Sequence, residues 1–147
     1  MADAQKSKWT YIGLIEAPVE QVWDALLQVS PLLAHVDHQA VTQGPAVQHL
    51  NTTFGEPAIA RISVDIDRHQ HVLATQGEWW YRGVYTIELH PRGSLLAYRV
   101  YNVAPPGSRW LVPFVTRQYP AALQASFQQV LQALGECLSC SAVLIAN

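Results

Sequence analysis

Three groups of residues have side chains suited to chemistry. His35, Asp37 and His38 form the first. Imidazole and carboxylate are ligands for zinc or iron, and a catalytic centre needs three of them with one position open. These three sit in one short loop-like piece without helical i, i+4 spacing. A metal site also needs matched geometry and a second shell, so no metal is expected. Cys137-Leu-Ser-Cys140 is a lone C-x-x-C. Redox pairs of this kind usually open a helix, whose dipole lowers the thiol pKa; this one closes a helix. No second pair completes a zinc site, and Cys137 reads as a small buried apolar residue. His69 and His71 are two apart, would share one strand face, and read as solvated. No cofactor follows from any of these groups.

Acid–base catalysis needs a carboxylate or imidazole inside a cavity. Asp65 and Glu88 fall on the polar faces of their strands, and Glu78 precedes a strand. Arg61, Arg82 and Arg99 lie on the same polar sides, where they can pair with acids across strands. No Ser-His-Asp set, phosphate loop or paired inward carboxylate stands out. Tyr81, Tyr85 and Tyr98 remain, each able to offer a hydroxyl to an otherwise apolar space.

The elements that position these residues can be read from the pattern. Lys8 to Ile15 is strand-like and runs into Ala17-Pro18. A helix follows, with Val19, Val22, Trp23, Leu26 and Leu27 on one face; proline's fixed φ suits a first turn. The segment SPLLAHV reads as a second short helix, with Ser30 as cap and Pro31 in its first turn. Asp37 to Gly55 is loop-rich, with one short strand near Gln39 to Thr42. Four strands then follow: Pro57 to Ile66, His69 to Gln76, Trp80 to His90 and Ser94 to Val103. Adjacent Trp79 and Trp80 should face opposite ways. Ala104-Pro105-Pro106-Gly107 stops the sheet. A last helix starts between Thr116 and Pro120 and runs to about Ser139. Its stripe is Leu123, Phe127, Val130, Leu131, Leu134, Cys137 and Leu138. Strand runs kept apart from helices read as α+β.

At 147 residues the chain reads as a single domain, residues 1–147, large enough for a real core. Half of it is hydrophobic (50%) and 14% is charged, too apolar for disorder. Apolar residues come in short groups, so no membrane insertion is expected. Net charge is −2 with the signs mixed along the chain; no basic cluster marks a phosphate footprint, and nucleic acid is not an expected partner. The polar start, MADAQKSK, has no apolar signal region, so a cytoplasmic location is the expectation. The apolar tail, Ala142 to Ala146, could support a homodimer.

The element order, with the Ala17-Pro18-Val19-Glu20-Gln21-Val22-Trp23 segment, resembles the START-like superfamily. That group includes the Bet v 1-like proteins and the polyketide cyclase/dehydrase-like domains. The resemblance covers almost the whole chain, and residues 37–55 depart from it because no clear second strand reads there. It implies a helix-grip fold: a curved antiparallel sheet wrapped around a long C-terminal helix, with two short helices after the first strand. It also implies a cavity between sheet and helix. The expected lining is Ile62, Val64, Tyr81, Tyr85, Tyr98, Asn102, Leu123, Phe127 and Leu131, with Trp110 at the mouth. The Asp37–Gly55 loop and the Pro105–Trp110 linker would gate it. The function this implies is binding of a hydrophobic or amphipathic small molecule, lipid-like or polyketide-like and aromatic. A cyclase/dehydrase-type enzyme on the same cavity and a protein-interaction module are the alternatives.

Overall fold

The computed structural model describes residues 6–30, 33, 38–54 and 60–147. In chain order the elements are β1 (Trp9–Ile15), α1 (Val19–Val29), α2 (His38–Gln43), β2 (Val47–Phe54), β3 (Ala60–Asp67), β4 (Val72–Gln76), β5 (Tyr81–His90), β6 (Gly93–Asn102), a 3-10 turn (Arg109–Leu111), α3 (Val112–Val115), α4 (Tyr119–Leu138) and β7 (Ala142–Ala146). The strands form one curved antiparallel sheet in the order β2-β3-β4-β5-β6-β1-β7. The twenty-residue α4 packs against β1, β7 and α1. This is the helix-grip α+β architecture.

Local chemistry explains the first turn. Pro18 stands at the N-cap of α1 with φ −62° and ψ 150°, and its carbonyl accepts the Val22 N–H at 3.0 Å. It therefore precedes the first helical turn instead of occupying it. Val22, Trp23, Ala25, Leu26 and Leu27 are buried, so α1 presses one apolar face on the core. The second apolar piece lies mostly outside the described residues; within it, Leu33 is buried and donates its N–H to Ser30 O at 3.1 Å.

β1 sits between β6 and β7, and Gly13 lets α4 approach it closely. A Cβ on Gly13 would stand 2.5 Å from Leu131 Cδ2. The apolar tail is thus a sheet strand, with Ala142 and Leu144 packed against the core and Val143 and Ile145 exposed.

Three sequence expectations are corrected here. Gln39 to Thr42 lies in a helix, α2, and the strand comes later as β2. In β2 burial alternates, with Gln48, Leu50 and Thr52 half-buried and their neighbours exposed. Two of those three inner residues are polar, which hides the strand period. Gln48 is satisfied by its Nε2, which donates to Val41 O at 2.9 Å and Pro45 O at 2.8 Å. His69 and His71 lie in the β3–β4 turn, outside any strand. Asp67 Oδ1 accepts the His69 and Gln70 N–H groups at 3.0 and 3.1 Å, an Asx turn, and His71 takes φ +56°. Cys137 is exposed. By the end of α4 the inward stripe has moved to Leu134 and half-buried Leu138, and Cys137, one position short of it, faces out.

Candidate functional site

Register places three aromatic rings in one row on the inner face of the sheet. Tyr11 is paired with Tyr98, and Tyr98 with Tyr85. The Tyr85 and Tyr98 rings stack with centroids 4.5 Å apart, and the Tyr11 ring follows at 6.3 Å. Phe127 of α4 lies against all three at 6.1–6.4 Å. Tyr11 also donates its hydroxyl to Pro120 O at 3.0 Å, tying β1 to the start of α4.

Tyr81 lies on the same strand face as Tyr85, with Gly83 between them. In register it opposes Asn102, yet its hydroxyl reaches diagonally to the Tyr98 hydroxyl and hydrogen-bonds with it. Gly83 makes that possible: a Cβ there would collide with the Tyr81 phenol and stand 2.9 Å from Tyr98 Cε1. Thr75 is paired with Gly83 from β4, and its hydroxyl is buried without a hydrogen bond of good geometry.

A cavity of about 530 Å³ opens beside these rings, within the roughly 300–1,000 Å³ typical of small-molecule sites. Among the described residues, the sheet contributes Tyr81, Tyr85 and Tyr98, and the end of α1 contributes Val29 and Ser30. Helix α4 contributes Tyr119, Leu123, Ser126, Gln129, Val130 and Ala133. The helix thus carries two stripes. Phe127, Leu131 and Leu134 are buried in the core. The spacing 119, 123, 126, 130, 133 follows a second helical line, whose small residues, Ser126 and Ala133, leave space beside the sheet.

Burial sets the protonation of the wall. Desolvation pushes the Tyr85 hydroxyl well above the ordinary phenol pKa. It does the same for Tyr98, reinforced by the neighbouring Tyr81 and Tyr85 hydroxyls. For Tyr81, burial again raises the pKa, with the Tyr98 and Thr75 hydroxyls pulling the other way. All three are neutral phenols at neutral pH, able to donate a hydrogen bond but not to act as anionic bases.

Of the residues expected to line a cavity, Tyr81, Tyr85, Tyr98 and Leu123 come together around this one. Ile62, Val64, Phe127 and Leu131 are packed in the hydrophobic core. Asn102 holds the following linker, its Oδ1 accepting Ala104 N–H at 3.1 Å and its Nδ2 donating to Arg109 O at 3.3 Å. Trp110 stands on the surface, with Nε1 donating to Gly107 O at 3.2 Å. Sequence reasoning missed Val29, Ser30, Tyr119 and the small-residue line of α4. The available signal was that line's helical spacing beside the apolar stripe.

Trp79 and Trp80 do face opposite ways: Trp80 is buried and Trp79 is exposed. Asp65 is on the outer side, 2.6 Å from His49 Nδ1 and 3.6 Å from Arg82 Nη1. His35 and Asp37 lie outside the described residues, as do both ends of the 37–55 segment. Among the described residues, no group of three or more His, Cys, Asp and Glu side chains is placed to hold a metal ion. No helix among them is long and apolar enough to cross a membrane.

No protein-family model matches the chain, and no curated protein sequence matches it. Among solved structures, the chain is similar to truncated norcoclaurine synthase from Thalictrum flavum. The two share 13% identity at a TM-score of 0.44, over 91% of this chain and 96% of that one. It is also similar to a point mutant of Thalictrum norcoclaurine synthase in complex with a transition-state analogue. Here identity is 14% and the TM-score 0.42, over 87% of this chain and 98% of that one.

Proposed function

We propose that this chain is a START-like domain that binds a hydrophobic or amphipathic small molecule between its sheet and α4. The cavity beside the tyrosine row carries this reading. Its wall is largely apolar, and a ligand that fills it gains roughly 25 cal/mol for each Å² of apolar surface buried. Its polar groups are the four phenols, the Ser30 and Ser126 hydroxyls and the Gln129 amide, and among them the paired Tyr81 and Tyr98 hydroxyls can orient a ligand. The Tyr81–Tyr98 pair uses one O–H between its two oxygens, so the other proton is available to a ligand acceptor. A flat aromatic molecule bearing a carbonyl or phenol oxygen matches that wall best.

The cyclase/dehydrase reading asks more of the same residues. The described wall offers neutral phenols, hydroxyls and one amide, groups that hold and orient. Binding therefore accounts for the site more economically than acid–base turnover does.

The test is mass spectrometry of small molecules extracted from the purified protein. The reading expects one recurring hydrophobic compound, displaced by an environment-sensitive aromatic dye. A protein that carries nothing and also leaves such dyes unbound would sink it.

A further inference from the structure

In and around the segment between β6 and α4, several large apolar side chains are exposed. Trp110 is 63% exposed, Phe114 60%, Val115 56%, Tyr119 45%, Trp79 39% and Leu111 38%. Soluble domains rarely gather so many large apolar side chains on one patch without a use for it.

The patch is held in place. Val112 and Thr116 are the segment's inward anchors, almost fully buried, and Thr116 Oγ1 donates to Val112 O at 2.6 Å. Arg109 Nε donates to Ala104 O at 3.1 Å, and Trp79 Nε1 donates to Ser108 Oγ at 3.0 Å. The Trp110 ring then meets the Phe114 ring at 6.4 Å. With its anchors buried, the segment is fixed with its aromatic side outward.

The rim beside Trp110 and Phe114 is cationic. The Arg117 guanidinium lies over the Phe114 ring at 5.7 Å, and Arg109 is exposed beside Trp110. Between residues 103 and 135 the chain carries Arg109 and Arg117 and neither Asp nor Glu. On the Trp79 side the rim also holds an acid, Glu78, which accepts a hydrogen bond from the backbone N–H of Arg61 at 3.0 Å. Tryptophan and phenylalanine flanked by arginine is the composition that settles at the headgroup level of a bilayer.

We infer that this aromatic face docks on the surface of an anionic lipid bilayer. Insertion is shallow, with Trp110 and Phe114 in the headgroup boundary and Arg109 and Arg117 against lipid phosphates. Tyr119 belongs both to this face and to the cavity wall. Docking therefore brings the cavity mouth to the bilayer, where an apolar ligand can pass without crossing water. The docking itself stands on the surface alone and does not depend on the cavity's being a binding site.

The experiment is co-sedimentation of the full chain with vesicles of phosphatidylcholine, with and without phosphatidylglycerol, while tryptophan emission is recorded. The expected result is retention on the anionic vesicles, a blue shift in emission, and release by salt. W110S/F114S should weaken partition about tenfold or more, with an unchanged melting curve because both side chains are exposed. Arg117→Glu should remove the preference for anionic vesicles. Leu123→Trp, which fills the cavity, should leave partition unchanged, separating docking from ligand binding. Equal sedimentation of W110S/F114S and the parent chain would overturn the inference, as would no retention on either vesicle. So would a self-association, without vesicles, that W110S/F114S abolishes, since a second copy would then cover this face.

Discussion

The Tyr81 and Tyr98 hydroxyls are hydrogen-bonded to each other although the sheet register sets Tyr81 opposite Asn102. The diagonal reach exists because Gly83, lacking a Cβ, leaves room for the Tyr81 phenol to cross over it. Gly83→Ala should push the Tyr81 ring away, break the hydroxyl pair and cost about 1–3 kcal/mol, the usual penalty for overpacking. Denaturant unfolding measures it. In a Tyr81→Ala background the penalty should shrink, because the displaced ring is gone; an undiminished penalty there would show that the glycine acts through something else.

The buried phenols make the fold sensitive to alkali. Tyr81, Tyr85 and Tyr98 have folded pKa values raised above the ordinary value of 10.0, chiefly by burial. Above that pH the unfolded chain releases these protons while the folded chain keeps them, so stability falls as pH rises. Below pH 10 the stabilisation is fully present. The slope should approach about 1.4 kcal/mol per pH unit for each phenol that stays protonated. Denaturant midpoints measured across this range, for the parent chain and for Tyr85→Phe, check it: the variant should show the shallower slope.

Leu123 projects into the cavity from the first turns of α4 and is half-buried. Leu123→Trp should fill the space and lower dye or ligand affinity about tenfold or more, since the apolar contact area is lost to the indole. Thermal unfolding should move little, because the space filled is open. Unchanged affinity measured by fluorescence titration would relocate the binding surface.

Phe127 is fully buried and touches Tyr11, Tyr85 and Tyr98. Phe127→Ala should cost about 3–5 kcal/mol, the range for emptying a buried aromatic site. Calorimetry would show it. A loss under about 1 kcal/mol would mean that α4 can collapse into the gap.

Much of the architecture was legible because its residues keep a period. β3, β5 and β6 alternate, α4 repeats every three to four residues, and Pro18 marks the turn into α1. β2 was not legible, since two of its three inner side chains, Gln48 and Thr52, are polar. The end of α4 misled because Cys137 matches the apolar spacing while the inward stripe runs through Leu134 and Leu138, one position away. At the site, sequence spacing brought out the sheet tyrosines and Leu123. It offered nothing about Tyr81 crossing Gly83, which depends on side-chain direction. It also favoured large apolar residues of α4, whereas the cavity stands beside the small ones, Ser126 and Ala133.

Trp80 has a further consequence. Its buried indole lies 5.7 Å from the Tyr81 ring and 5.6 Å from the Tyr119 ring, both in the cavity wall. A molecule settling against either phenol shifts the dipoles next to that indole. The protein therefore carries its own optical gauge of occupancy: Trp80 emission, read against a Trp80→Phe control, should report filling of the cavity without any attached label.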